Sequence, residues 1–166
     1  MTFADLQAGD VVFVDANTLI YHCTIDPVYG GACTNLLDQI GLSVITGFTS
    51  THILSEVAHR LKALEASRVF SRSQSGMVYY LKKHPADVQR LTGFRRAIED
   101  ICVGNLRILT IPPALIVTAA ALSQQTGLLT NDALIVAVMQ LNGLTQLASN
   151  DTDFDRVPGL TRYAPA

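Results

Sequence analysis

The sequence has few charged residues, few cysteines and no long apolar run, and each shortage excludes a class of protein. Charged residues make up only 16% of the 166 residues while hydrophobic ones make up 49%, a balance that excludes intrinsic disorder. So few charges also predict helices and strands that are buried on more than one face. The length is that of one ordinary domain, so we expect a single domain over residues 1–166.

Membrane insertion and secretion are not expected either. No apolar run approaches the roughly 20 residues that a bilayer span requires, since the longest extends only from Ala133 to Met139. The first residues lack a basic stretch followed by an apolar core, so we expect no signal peptide. The three cysteines, Cys23, Cys33 and Cys102, lack metal-type spacing, and their odd number favours a reduced interior over a disulfide framework. These features favour a cytoplasmic protein.

Short strands alternate with helices along most of the chain. Apolar runs predict strands at Val11–Val14, Leu42–Thr46, Leu106–Thr110 and Leu144–Ala148, with a short fifth at Leu160–Tyr163. Helical spacing predicts helices over 28–40, from Ser50 or Thr51 to about Leu64, over 114–125 and over 131–141. The alternation predicts an α/β fold, a parallel sheet of four or five strands with helices on both faces. Two further helices, over 67–84 and 86–104, form a helical insert at about 66–100 that departs from this alternation.

Basic charge collects in and around this insert. The window from Arg60 to Arg96 holds nine of the 12 basic residues and two acidic ones, a net charge of +7, while the rest of the chain carries −9. A basic segment on an acidic body favours a polyanionic ligand, although a solvated helical face gives the same pattern. Tyr79 and Tyr80, beside two lysines, are suited either to stacking on bases or to ordinary helix packing.

Four acidic residues stand where predicted strands end or the following helices begin. They are Asp15 after the first strand, Glu56 in the helix after the second, Asp132 at the start of an apolar helix, and Asp151 after the fourth strand. Ligands of parallel sheets bind beyond the carboxyl ends of the strands, so we expect these side chains to converge there. Each also has an ordinary structural explanation, because aspartates cap helices and form turns, and Glu56 could pair with Arg60 four residues on.

Converging carboxylates favour a bound cation. Several carboxylates in one cleft repel each other, and the repulsion is relieved when a cation binds between them. Ligand sets made only of oxygen select hard cations such as Mg²⁺ or Mn²⁺. These ions hold phosphate groups and lower the pKa of a bound water, which favours hydrolysis of phosphodiesters.

Four segments together resemble the PIN domain family, which includes the VapC ribonuclease toxins of toxin–antitoxin pairs. They are Asp15-Ala16-Asn17-Thr18-Leu19-Ile20, Ser55-Glu56, Asn131-Asp132-Ala133-Leu134-Ile135 and Ser149-Asn150-Asp151-Thr152-Asp153-Phe154. The resemblance covers the chain from about Val11 to Asp155. It implies a PIN-like parallel sheet and a Mg²⁺- or Mn²⁺-dependent endoribonuclease that hydrolyses RNA.

The resemblance also implies roles for individual residues. It implies catalytic Asp15, Glu56, Asp132 and Asp151, metal-ligating Asp15, Asp132, Asp151 and Asp153, and supporting Asn17 and Ser149. Whether Asp151 or Asp153 lies nearer the metal stays open. The candidate RNA-binding residues in the basic window are Arg60, Lys62, Lys82, Lys83, Arg95 and Arg96. PIN toxins form homodimers and are held inactive by an antitoxin, so both partners are implied. Because such toxins are usually shorter and lack the insert, a stand-alone PIN nuclease also stays open.

Three other kinds of protein share part of this pattern. A non-catalytic PIN-like module that binds RNA or protein would carry a broken acidic set, and this set is complete. A di-iron site could use His52, Glu56 and His59 on one helix face, but no second motif of that kind is present. A haloacid dehalogenase-like phosphatase needs an acid two residues after Asp15, where this chain has Asn17.

Overall fold

In a computed structural model, which describes residues 1–166, five strands form one parallel sheet in the order β3-β2-β1-β4-β5. The strands are β1 Val11–Val14, β2 Thr46–Ser50, β3 Arg107–Leu109, β4 Gln146–Ala148 and β5 Thr161–Tyr163. The helices are α1 Ala16–Thr24, α2 Gly30–Gly41, α3 Thr51–Val69, α4 Met77–Lys83, α5 Pro85–Arg90, α6 Gly93–Val103, α7 Pro113–Thr126 and α8 Thr130–Leu141. The predicted α/β class with a parallel sheet is confirmed.

The chain's most apolar runs occupy the centre of the molecule. In β1, the middle strand, the side chains of Val12, Phe13 and Val14 are fully buried. Helix α8 is buried over seven consecutive residues, Ala133–Met139, which explains why its sequence is apolar on every side. None of the helices combines the length and apolarity that crossing a bilayer would need.

The second strand lies four residues later than the sequence predicted. Residues 42–46 were expected to form it, but Ser43 has a left-handed φ of 58° and this stretch turns the chain out of α2. Gly47, expected to end the strand, lies inside it. A Cβ there would stand 2.6 Å from Ile40 Cδ1 and 2.9 Å from Leu106 Cδ2. Glycine is thus needed where side chains press on the strand, and it does not mark an end.

The insert was predicted as two helices and is built differently. Helix α3 continues to Val69, and the predicted break at His84-Pro85 separates two short helices, α4 and α5. Residues 70–92, called here the α4–α5 segment, pack on the last turns of α3 through a small separate core. That core consists of Ala66, Met77, Leu81 and Leu91. Helix α6 follows as a separate element and packs along α3.

Candidate active site

The carboxyl ends of β1 and β4 and helices α1, α3 and α8 surround one polar cleft of about 300 Å³, called here the acidic cleft. Its lining includes all four of the acidic residues expected to converge. The polar and charged side chains of the lining are Asp15, Asn17, Tyr21, Glu56, Arg60, Asp132, Asn150 and Asp151. The structure therefore brings side chains from distant parts of the sequence to one end of the sheet.

Asp15 is held in a single orientation at the base of the cleft. Its carboxylate accepts hydrogen bonds from the Ala16 amide at 2.6 Å, the Asn17 side-chain amide at 2.6 Å and the Ser149 hydroxyl at 2.7 Å. The residue is only 6% exposed, and this burial raises the pKa of Asp15 to about 6. The hydrogen bonds from Ser149 and Ala16 act against this rise, while the charges of Glu56 and Asp132 add to it.

Ser149 and Asn17 tie the end of β1 to the loop after β4. The Ser149 hydroxyl donates to Asp15 and accepts from the Asp151 amide at 3.0 Å and from Asn17 Nδ2 at 2.9 Å. The Asn17 Oδ1 atom in turn accepts from the Asn150 amide at 3.1 Å. Ser149 is fully buried, and in these contacts its hydroxyl group uses its one donor and both of its acceptor positions. These contacts position Asp15 and Asp151 relative to each other.

Asp132, Asp151 and Asp153 form the group of carboxylates best placed to hold a cation. One oxygen atom from each lies within 4.8 Å of the others. Burial raises the pKa of Asp132, and the charges of Asp151, Asp153 and Glu56 raise it further. Oxygen ligands that repel one another in a half-buried site fit a divalent cation. Both Asp151 and Asp153 belong to this group, although Asp153 also forms an ion pair with Arg156.

Glu56 lies on the α3 wall of the cleft and does not form the ion pair with Arg60 that the sequence suggested. No carboxylate oxygen lies within 4.0 Å of the Arg60 guanidinium, which also lines the cleft. The sequence analysis missed two lining residues, Tyr21 and Asn150, whose side chains approach each other at 3.3 Å. The spacing of four residues from Asn17 to Tyr21, one turn of α1, is the signal that could have identified Tyr21.

The other candidate RNA-binding residues are spread over several surfaces. The Lys62 ammonium lies 4.9 Å from the centre of the Phe94 ring. Arg95 is 3.6 Å from Glu99 on α6, and Arg96 lines a separate cavity of about 570 Å³ between α1, α2 and α6. Lys82 and Lys83 lie at the end of α4. Of the six candidates, Arg60 alone lines the acidic cleft.

The di-iron alternative is not supported by the arrangement of the histidines. His59 is exposed on α3, while His52 is half-buried with its Nε2 atom unpartnered. Neither joins a group of three converging ligand atoms, whereas the three aspartates do.

Comparisons with known proteins point to one family and one fold. The family model of the PIN domain matches residues 12–160, while no curated protein sequence matches the chain. VapBC2 from Rickettsia felis, solved with a promoter DNA fragment, is 18% identical with a TM-score of 0.56, covering 93% of this chain and 98% of that one. Mycobacterium tuberculosis VapC20, a toxin that cleaves the sarcin–ricin loop, is 17% identical with a TM-score of 0.60, covering 89% and 95%. A toxin–antitoxin complex from Klebsiella pneumoniae is 21% identical with a TM-score of 0.52, covering 90% and 95%.

Proposed function

Because the chain belongs to the PIN domain family, we propose that it is a Mg²⁺- or Mn²⁺-dependent endoribonuclease that hydrolyses RNA phosphodiester bonds. The observation that carries the proposal is the acidic cleft, where a complete set of carboxylates lies at the carboxyl end of a parallel sheet. Three of them, Asp132, Asp151 and Asp153, bring oxygen atoms within 4.8 Å of one another.

Each side chain of the cleft has a proposed task. Asp132, Asp151 and Asp153 hold the cation, with Asp15 completing the set from the base of the cleft. Held by these residues, a divalent cation would lower the pKa of a bound water and polarise a phosphoryl oxygen of the substrate. Glu56, on the opposite wall, orients the attacking water or binds the cation through it. The two supporting residues, Asn17 and Ser149, hold Asp15 and Asp151 in fixed positions relative to each other through hydrogen bonds.

The substrate and the compartment follow from the same proposal. RNA is the substrate, and phosphates are bound by Arg60 at the cleft and by the outlying Lys62, Lys82, Lys83, Arg95 and Arg96. Backbone contacts of this kind hold RNA without reading its sequence. We place the enzyme in the cytoplasm, where RNA is available and the three unpaired thiols stay reduced.

The chain is further proposed to act as a toxin controlled by an antitoxin. Structures of a toxin with its antitoxin are among its neighbours, from Rickettsia felis and Klebsiella pneumoniae, and they support such a partner here. An antitoxin that covers the acidic cleft would block access of RNA. Coexpression with the product of an adjacent gene for a small DNA-binding protein should then suppress cleavage, and continued cleavage would favour a stand-alone nuclease.

We also propose a homodimer, supported by an apolar surface on α7 and the start of α8. Residues 108–131 contain no charged residue, and Ile116, Val117 and Leu129 are exposed there. Such a surface is typical of an interface between protein chains. Light scattering should give twice the chain mass of 17.9 kDa, and Val117→Glu should reduce it to the mass of one chain. A single-chain mass for the unmodified protein would exclude the dimer.

The decisive experiment is cleavage of end-labelled single-stranded RNA in Mg²⁺ or Mn²⁺. Cleavage should vanish in EDTA and fall at least about 100-fold in Asp132→Asn, because a ligand of the cation is lost. Asp38→Asn, on the exposed side of α2, makes the same change of charge away from the cleft and should cleave normally.

A binding measurement separates an inactive site from a wrong substrate. Mn²⁺ should raise the melting temperature of the unmodified chain but not that of Asp132→Asn. Absence of both cleavage and this stabilisation would favour a non-catalytic PIN-like module that binds RNA or protein.

A further inference from the structure

Helix α3 connects the acidic cleft with the α4–α5 segment. Glu56 lies on the cleft wall, and Ala66, near the other end of the helix, belongs to the small core of the segment. The 13 residues from Glu56 to Val69 correspond to about 20 Å of helix. A strand of RNA that leaves the cleft along α3 therefore reaches the α4–α5 segment within a few nucleotides.

Two arginines of α3 without an ion-pair partner line two cavities that α1 also lines, and these cavities together are called here the α1–α3 groove. Arg60 lines the cleft beside Tyr21 of α1, and Arg68 lines a smaller cavity together with Cys23 and Thr24 at the end of α1. Both arginines are exposed, and neither has a carboxylate oxygen within 4.0 Å. They are eight residues apart, about 12 Å along the helix. The groove thus presents free guanidinium groups, which bind phosphates well, on the way out of the acidic cleft.

Helix α4, which packs against α3, carries an exposed aromatic ring. The two tyrosines of α4 differ in exposure. Tyr80 is half-buried, and its ring stacks on His84 with 4.0 Å between the ring centres. The Arg72 guanidinium lies 4.4 Å from the centre of the Tyr80 ring. Tyr79 is 69% exposed, and the Lys83 ammonium lies 5.7 Å from its ring centre. Tyr80 therefore stabilises the segment, whereas Tyr79 offers a free face beside a cation.

We propose that single-stranded RNA leaves the acidic cleft along the α1–α3 groove and is bound at the far end by α4. Arg60 and Arg68 contact its phosphates, and Tyr79 stacks on one of its bases. Single-stranded RNA is the class of ligand that fits, because its unstacked bases can lie on an aromatic ring whereas those of a duplex cannot. The assignment rests on the proposed function for the place where the strand enters.

The test measures binding of fluorescent single-stranded RNAs of increasing length to the full chain carrying Asp132→Asn, which removes cleavage. Tyr79→Ala should weaken binding of long RNAs about tenfold, while Tyr79→Phe, which keeps the ring, should bind normally. Arg68→Glu should weaken binding and lower the slope of log affinity against log salt concentration by about one. The matched control is Arg107→Glu, at the amino end of the strands and so at the other end of the sheet from the cleft, which makes the same change of charge and should bind normally.

Cleavage by the chain with Asp132 intact gives a second readout. Tyr79→Ala should raise KM for long RNAs and leave cleavage of RNAs too short to reach α4 unchanged, whereas Arg68→Glu should raise KM for every RNA long enough to reach Arg68. Normal melting temperatures of both variants would show that they fold.

Three outcomes overturn the proposal. One is unchanged RNA affinity in both Tyr79→Ala and Arg68→Glu. If the chain with Asp132 intact still cleaves RNA, that result leaves the proposed function unaffected. Another is equal affinity for duplex and single strand. The third is normal RNA binding with loss of a protein partner, which would assign this surface to that partner. By contrast, binding that depends on Tyr79 in a chain that cleaves no RNA would support the route and remove the proposed function.

Discussion

The acidic cleft and the α4–α5 segment are built in opposite ways. The cleft collects side chains from four separate parts of the sequence and joins them by hydrogen bonds around the buried Asp15 and Ser149. The α4–α5 segment is continuous in sequence, has a four-residue core and presents its cations to solvent or to aromatic rings. Geometry at the cleft therefore depends on the whole fold, whereas the segment adds a surface that could change without disturbing it.

The two regions also differ in their electrostatic effect on stability. Burial, together with the charges of neighbouring carboxylates, raises the pKa values of Asp15 and Asp132, so that their charged forms destabilise the fold when no cation is bound. Where the segment ends and α6 begins, an acidic residue of α3 stabilises the structure instead. Glu65 of α3 accepts hydrogen bonds from the amides of Thr92, Gly93 and Phe94 at 2.9–3.0 Å and so anchors the start of α6.

The largest expected effect is a dependence of stability on pH that arises at the cleft. The pKa of Asp15 is about 6 in the fold and 3.8 in its ordinary range, so the folded state binds more protons between these values. Its contribution is fully present below about pH 4 and is lost as the pH rises through 6, by up to about 3 kcal/mol in the free energy of unfolding. Urea denaturation in EDTA across this range measures it. Saturating Mn²⁺ at pH 7 should restore stability, and a flat profile in EDTA would contradict the prediction.

Ser149→Ala tests how far the cleft depends on its hydrogen bonds. The variant leaves the Asp151 amide without an acceptor and removes one hydrogen bond each from Asn17 and Asp15, so the free energy of unfolding should fall by about 1–3 kcal/mol. Affinity for Mn²⁺ should fall about 10- to 100-fold, because the ligating carboxylates lose their orientation. Ser75→Ala, in the α4–α5 segment, removes an exposed hydroxyl and should change neither quantity. Equal effects of Ser149→Ala and Ser75→Ala would contradict the difference described between the acidic cleft and the α4–α5 segment.

Glu65→Ala is the converse change, directed at the segment. Loss of its bonds to three amides should lower the free energy of unfolding by about 1 kcal/mol and speed hydrogen exchange in residues 70–92. Affinity for Mn²⁺ should stay the same, since the cleft is untouched. The control is Glu99→Ala on α6, whose carboxylate makes only a surface ion pair with Arg95. A loss of Mn²⁺ affinity in Glu65→Ala would show that the two regions are coupled.

The smallest effect is expected for Arg156→Ala. Arg156 pairs with Asp153, and both side chains are about half exposed, so the pair contributes at most about 1 kcal/mol. Removing this competing cation frees Asp153 and should tighten Mn²⁺ binding up to about fivefold, as measured by titration. Arg95→Ala removes a comparable surface pair and should leave the affinity unchanged. Weaker binding would mean that Arg156 positions Asp153 for the cation.

The sequence predicted the α/β class because the alternation of short apolar runs with helical spacing is a local property of the chain. It misplaced the second strand because the close approach of Ile40 to Gly47 is a tertiary contact, invisible to a rule that treats glycine as a break. The four carboxylates were identified because strand ends meet at one edge of a parallel sheet. The order of the strands required the structure.

The basic residues show the opposite outcome. The distribution of charge along the sequence identified the basic window from Arg60 to Arg96 but not the surface on which each cation lies, because neighbouring cations on a helix point in different directions. Arg60 and Arg68 face the groove beside α1, whereas Arg95 and Arg96 lie on α6. Asn150 was missed for the same reason, since only the fold shows that it lines the cleft, whereas the one-turn spacing from Asn17 could have indicated Tyr21.

Helix α3 runs without interruption from one region to the other, and this fixes the distance between them. For any ligand that touches both ends, the helix works as a ruler whose graduations are turns of about 5.4 Å. Removing one turn between Arg60 and Ala66 would shorten the ruler and also rotate the α4–α5 segment around it. The lengths of the cleavage products, measured from the part of the RNA bound at α4, would then change by the same number of nucleotides for every substrate. Sequence selectivity at the cleft could not produce such a change.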